Sequence, residues 1–278
     1  MMNNFQQWQN NKNYLGSSET IRETSINNIW WFIGFAEGDG SFQISQSQNR
    51  VFFVINQKNP RVLYQIKSIL GIGKVTKYGT YHRYILSKRE HIWFLIYLFN
   101  GRLILNKTNE RFKKWFLFEH NSHVDYIYND YNSFTIKNAW LSGFIEAEGN
   151  FNAVFRENLK KNDETSLHIR LRFKVDQKNE LNLLHKIKES FGCGHVNHRK
   201  NKEFALFTIG DRENLVRIIN YLNIYPLKGS KNISFIRFKN LWNRVNLKQH
   251  VDIPSLKIKN RLINLLRSIN KIDEDRVH

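Results

Sequence analysis

Two pairs of acidic residues are the first candidates for chemistry: Glu37 with Asp39, and Glu146 with Glu148. Each pair closes a run of apolar residues, FIGFAEGDG over 32–40 and LSGFIEAEG over 141–149. Such runs read as helices, and carboxylates favour helix N-termini, where the dipole is positive; at a C-terminus they are mildly unfavourable. A chain with 43 Lys+Arg against 24 Asp+Glu has no folding reason to place paired acids at two helix ends. A hard cation supplies one: magnesium takes oxygen ligands, keeps waters, and commonly binds through one or two carboxylates plus substrate phosphate. If the two helices lie side by side, Asp39 and Glu148 meet at their tips. Gly34 with Gly38, and Gly143 with Ala147, set small residues at i and i+4, where they would allow close helix approach. One copy alone reads as well as a plain acidic turn after a helix stop. Its repetition at the same register is what points to chemistry.

The elements that must position these acids form a duplicated unit. Segment 32–42 returns at 141–151, an offset of 109. Gln57-Lys58-Asn59 returns as Gln177-Lys178-Asn179 at 120, Gly71 and Gly73 as Gly192 and Gly194 at 121, and Leu103 and Lys107 as Leu227 and Lys231 at 124. Order that is kept while the offset only grows marks a repeat with small loop insertions. Each copy reads as a helix (29–37 or 138–146), two strands, and a helix (60–70 or 180–191) stopped by Gly71 or Gly192. A second hairpin follows (74–87 or 195–209), then two closing helices (90–99 and 107–120, or 212–222 and 232–245). The chain thus divides into an N-terminal extension (1–25), a first domain (26–120), a polar, Tyr-rich linker (121–135), a second domain (136–246) and a C-terminal part (247–278). That last part carries an amphipathic helix from near Pro254, expected to pack on the second unit.

The strands carry a second kind of chemistry. In the second copy Leu167, Ile169, Leu171, Phe173 and Val175 alternate with His168, Arg170, Arg172 and Lys174, the period of a half-buried strand. In the first, Phe42 and Ile44 alternate with Ser41, Gln43 and Ser45. The outward row of donors suits phosphates and the base edges of a major groove, which admits a two-stranded ribbon. His195, Asn197 and Arg199 repeat the layout, and Arg50, Lys74, Lys77 and Arg83 join the first copy's set. A single such strand is equally a solvated face, but a formal net charge of +19 points to a polyanionic partner. The composition also excludes much. With 41% apolar and 14% aromatic residues over 278 positions, wholesale disorder is ruled out. The lone Cys193 rules out a disulfide framework or a multi-thiolate metal site. No apolar run approaches the roughly 20 residues of a membrane helix. The Asn- and Gln-rich first 25 residues have no apolar core and do not read as a secretory signal. Alanine occurs at only five positions while Lys, Asn and Ile, residues with AT-rich codons, abound, which hints at an organellar or otherwise AT-rich genome.

The two nonamers resemble the paired signatures of LAGLIDADG homing endonucleases in their single-chain, two-repeat form. The resemblance covers about residues 29 to 246 and extends to the G-S/N-F step, the QK pair and the later Lys. It implies a mixed α+β fold of two pseudo-symmetric αββαββα domains, with the signature helices as the interface and two antiparallel sheets forming a saddle over DNA. It implies a magnesium site at Asp39 and Glu148, with Gly38 and Ala147 in the metal set. Glu37 and Glu146 match an acid that is more often structural. Gln57 and Gln177 match a polar residue that organises active-site water, and Lys107 and Lys231 match basic residues near the scissile phosphates. Lys107 lacks the Pro-Leu-Lys-Gly-Ser context that precedes Lys231.

The sequence therefore predicts an intron-encoded, Mg²⁺-dependent endonuclease, monomeric and mitochondrial, that breaks both strands of a long, imperfectly palindromic double-stranded DNA site. The unlike acids, Asp39 and Glu148, predict unequal halves and a preference in which strand is nicked first. Two rival expectations stand beside it. One is a maturase that binds its own intron RNA and assists splicing, alone or in addition. The other is a DNA-binding protein without catalysis.

Overall fold

The computed structural model describes residues 25–119, 124–159, 165–198, 203–251 and 256–270, with backbone alone over 157–159 and 165–167. The first unit runs α1 (Ile26–Asp39), β1 (Gly40–Ser45), β2 (Arg50–Gln57), α2 (Arg61–Leu70), β3 (Lys74–Tyr78), β4 (Tyr81–Leu86), α3 (Arg89–Phe99) and α4 (Asn106–Glu119). A 3-10 turn, Tyr131–Ser133, lies in the connection to the second unit. There α5 (Trp140–Glu148), β5 (Gly149–Leu159), β6 (Thr165–Lys178), α6 (Leu181–Phe191), β7 (His195–His198), β8 (Phe204–Ile209), α7 (Leu215–Ile224) and α8 (Lys231–Asn246) repeat the order, and α9 (Leu256–Asn270) is appended. Two closing helices, α3 with α4 and α7 with α8, follow each second hairpin, one more than the αββαββα unit of the resemblance.

Local chemistry explains the boundaries. Ser25 caps α1, its hydroxyl accepting from the Asn28 N–H at 3.3 Å. Gly71 and Gly192 end α2 and α6 in the left-handed region, at φ 71° and 62°, where a side chain would be strained. Pro60 precedes the first helical residue of α2 as its N-cap rather than occupying it. Both sheets are four-stranded and antiparallel, ordered β1-β2-β4-β3 and β5-β6-β8-β7.

Each sheet lays one face on its closing helices. In the first unit Phe42 stacks among Phe53, Phe99, Phe112 and Trp115, with ring centroids 5.3–5.4 Å away. In the second, Phe151, which is Phe42 shifted by 109, meets Phe173, Phe235 and Phe238 at 5.2–5.5 Å. These offset and edge-on pairs each add about 0.5–1.5 kcal/mol beyond the area they bury. Ile44, expected inside beside Phe42, lies at the rim and is 39% exposed. Helix α9 packs on α8 and β5 with Leu262, Ile263, Leu266 and Ile269 buried, whereas Ile258 and Leu265, expected on the same face as Leu262 and Ile269, are only partly buried. Its last residue, Asn270, accepts from the Ala153 N–H at 3.1 Å and donates to the Ala153 carbonyl at 2.8 Å.

The two units join along α1 and α5. A Cβ on Gly34 would stand 1.9 Å from the Trp140 carbonyl oxygen, and one on Gly143 would stand 1.8 Å from that of Trp31. Backbone lies against backbone, and only glycine fits. One turn on, a Cβ at Gly38 would meet the Ala147 methyl at 2.4 Å. A Gly143→Ala change must therefore part the helices. It should cost about 3 kcal/mol or more, lowering the thermal midpoint in scanning calorimetry by roughly 5–10 °C. Gly210→Ala, where the added carbon meets nothing nearer than the Arg172 Cγ at 3.7 Å, should leave the midpoint unchanged.

Candidate active site

The close packing of α1 and α5 brings their acidic ends together. Asp39 is the last residue of α1 and Glu148 the last of α5, both half-buried. The Glu148 carboxylate overhangs the neighbouring helix, with Oε1 3.6 Å from where a Gly38 Cβ would be. Gln57, at the end of β2, donates from Nε2 to Asp39 Oδ2 at 2.7 Å, which fixes the carboxylate's orientation. Among the described residues there is no cluster of three or more His, Cys, Asp or Glu. The expected donor set is two carboxylates with the main-chain carbonyls of Gly38 and Ala147. That hard, sparse oxygen set fits magnesium, which completes its shell with water and phosphate. The Ala147 carbonyl already accepts from Lys231 Nζ at 3.2 Å.

The earlier acids have a different task. Glu37 is buried, and its Oε1 accepts from the Ile104 and Leu105 N–H groups at 2.8 and 2.7 Å, while Oε2 accepts from Trp140 Nε1 at 2.6 Å. Glu146 accepts from the N–H groups of Lys228 and Gly229 at 3.0 Å and of Lys231 at 3.1 Å. Ile104 and Leu105 become Lys228 and Gly229 at the same offset of 124 that relates Lys107 to Lys231. Each acid thus clamps the loop that delivers the lysine of its own unit. Burial pushes Glu37 up to about 8 against the pull of those donors, and it raises Glu146 as well.

The other expected residues are not placed symmetrically. Lys107 donates from Nζ to Gln177 Oε1 of the other unit at 2.8 Å, and its backbone N–H donates to Glu180 Oε1 at 3.2 Å. Lys231 is only 7% exposed and donates to the carbonyls of Ile145 and Ala147 at 3.0 and 3.2 Å, a cation on the C-terminal end of α5. Gln57 holds an acid of its own unit, whereas the buried Gln177 holds a lysine across the interface. Trp140 reaches Glu37, but its repeat partner Trp31 has a buried Nε1 with no hydrogen-bond partner among the described residues.

Strand register decides which polar residues share the face turned away from the helices, since directly opposed residues in an antiparallel pair point the same way. In the first sheet Ser41, Gln43 and Ser45 lie opposite Val54, Phe52 and Arg50. Arg83 lies between Asn56 and Thr76, and Lys74 opposes Ile85, so these residues join that face. Lys77 does not: it opposes His82, one step out of phase, and projects from the other face. Its three-residue spacing from Lys74 is odd, and strand parity separates the two. In the second sheet Lys174, Arg172, Arg170 and His168 oppose Asn150, Asn152, Val154 and Arg156. His195 reaches the same face through Thr208, and Asn197 through Leu206. Arg199 lies outside the described residues, as do 1–24 and Pro254.

Several cations on this face are already ordered. Arg83 Nε donates to Asn56 Oδ1 at 2.9 Å and its guanidinium lies over Tyr78, 5.0 Å from the ring centroid. Arg50 donates to Gln48 Oε1 at 2.8 Å and stacks on Phe52 at 4.7 Å. Gln43 donates to the Ser41 hydroxyl. Asn150, Asn152 and Arg156 share this face beyond the expected set, and the first two had a signal, being Ser41 and Gln43 shifted by 109. Glu180, also beyond the expected set, had no signal: its repeat position, shifted by 120, is Pro60.

The comparisons agree with this architecture. The LAGLIDADG endonuclease family model matches residues 32–118 and again 141–242. A probable intron-encoded endonuclease 4 of Neurospora crassa is 33% identical over 252 residues, 88% of this chain but 44% of that protein, so the chain spans less than half of its relative's length. The meganuclease I-SmaMI, crystallised with uncleavable DNA, superposes with a TM-score of 0.71 at 18% identity, over 89% of this chain and all of that one. The LAGLIDADG homing endonuclease I-LtrWI, bound to its target DNA, gives 0.68 at 20% identity over 90% and 99%. Twin family matches, one on each acid-tipped repeat, settle the assignment: the chain belongs to the LAGLIDADG endonuclease family.

Proposed function

We propose that the chain is a sequence-specific, magnesium-dependent DNA endonuclease that breaks both strands of a long, imperfectly palindromic site. The observation that carries the reading is the Glu148 carboxylate reaching over Gly38, the residue before Asp39, between two sheets whose outer faces bear Arg50, Lys74 and Arg83 in one unit and Arg170, Arg172 and Lys174 in the other. DNA held by relatives of the same fold, I-SmaMI and I-LtrWI, supports duplex DNA as the substrate. Both acid tips belong to one chain, so a monomer has a complete site. An amino-acid usage that favours residues with AT-rich codons, and the relatives named for introns, support an intron-encoded protein of a mitochondrial genome.

Asp39 and Glu148, with the carbonyls of Gly38 and Ala147, would hold the magnesium. Bound there, it supplies Lewis-acid stabilisation of the leaving oxygen and a more acidic water. Gln57 keeps the Asp39 carboxylate turned to the tip, and the buried Gln177 steadies Lys107. Lys107 and Lys231 set positive charge beside the position where the phosphorane's charge develops. The sheet faces grip phosphates and read base edges, which fixes the two strands over the two tips.

Incubating the protein with plasmid carrying the fused-exon junction should give linear product in Mg²⁺ and binding without cleavage in Ca²⁺. Binding with no cleavage in either ion would favour a regulator, and splicing of the precursor RNA without DNA cleavage a maturase. Glu148→Gln should lower the cleavage rate by on the order of a hundredfold or more while leaving DNA affinity in Ca²⁺ intact. Loss of affinity with cleavage retained would contradict the assignment. In salt titrations of affinity, Arg170→Ala should make the slope of log K against log salt shallower by about 1, the signature of one lost phosphate contact.

A further inference from the structure

The two repeats treat their lysines differently, and the difference traces to one position. Glu146 takes three backbone N–H groups, from Lys228, Gly229 and Lys231, and the Lys231 ammonium settles on the end of its own signature helix. Glu37 takes two, from Ile104 and Leu105, because its second oxygen is occupied by the Trp140 indole. The N–H at Lys107 is then met from the other unit, by Glu180, a residue only 3% exposed. Three residues before Glu180, Gln177 receives the Lys107 ammonium at 2.8 Å. The β6–α6 connection of the second unit therefore holds both ends of a first-unit lysine. The converse hold is impossible, because the residue matching Glu180 in the first unit is Pro60.

We propose that Glu180 is a positioning residue that acts across the interface on Lys107, and that it makes the half-site served by Lys107 the first to cut. Lys107 is half-buried, and its ammonium donates to one amide oxygen with the Glu180 carboxylate nearby, so turning to a phosphate requires one exchange of hydrogen-bond partner. Lys231 is buried and must leave two helix-end carbonyls to do the same. In each nick the water oxygen bonds to phosphorus, one ester P–O bond breaks, and the departing oxygen gains a proton as the water loses one. The inference rests on the nuclease reading and adds an order of events to it.

The test is single-turnover cleavage in Mg²⁺ of the fused-exon duplex carrying a different dye on each strand. Wild-type protein should nick one strand faster, and Lys107→Met should abolish that faster nick. Glu180→Ala should slow the same strand by on the order of tenfold to a hundredfold, the effect of a catalytic group displaced by an ångström or less, with the other strand unchanged. Glu180→Gln keeps an oxygen for the Lys107 N–H and should fall between wild type and Glu180→Ala on that strand. Equal slowing of both strands, no slowing, or slowing of the strand that Lys107→Met spares overturns the positioning role. If circular dichroism shows Glu180→Ala unfolded, Glu180→Gln decides by the same criteria. Wild-type protein that cleaves neither strand removes the nuclease reading and this proposal with it, whereas strand-even slowing in the Glu180 variants removes only the latter.

Discussion

At Gly34 and Gly143 the signature helices touch backbone to backbone, and the position of every other group at the junction follows from that contact. Without a Cβ on either residue, the peptide carbonyls of Trp140 and Trp31 occupy the room a side chain would take. Contact at this distance leaves the helices little freedom to slide or roll, since interiors pack as densely as organic crystals and yield little. The helix ends are then fixed one turn beyond. A residue that ends one helix must face the residue that ends the other, whatever the surface sequence elsewhere.

Four acids sit within that junction, and their surroundings divide them by task. Glu37 and Glu146 point into the protein and accept hydrogen bonds from loops far along the chain, so they act as fasteners. Asp39 and Glu148 come two residues later in each signature, half-buried at the tips. A two-residue step along a helix turns a side chain by about 200°, which is enough to send one acid inward and the next outward. The doubled acids of the sequence are thus one buried fastener and one half-buried tip acid in each repeat, set apart by helical geometry alone.

Much of this was legible in the chain. The duplication, the acid-tipped helices, the small residues between them and the alternating basic strands all follow from spacing, because local periodicity is a local property. What was not legible depends on partners distant in sequence. Lys77 and Lys74 look alike along the sequence, and only strand register shows that the two face opposite ways. Glu180 looks like an ordinary turn acid until the other unit's helix start is set against it. Lys231 and Lys107 occupy matching positions, yet one is buried on a helix end and the other reaches across the interface. Repetition in sequence foretold symmetry, and it could not foretell where symmetry fails.

The pairing of Asn270 with Ala153 has a consequence for how the molecule behaves among its neighbours. Strand β5 is the rim of its sheet, and an open rim presents ready donors and acceptors to any extended peptide. The Asn270 amide answers both main-chain groups of Ala153, as another strand would, and α9 shields the apolar surface around it. Helix α9 therefore works as a selvedge at Ala153, stitching that point of the woven margin so that another strand cannot take up the thread there.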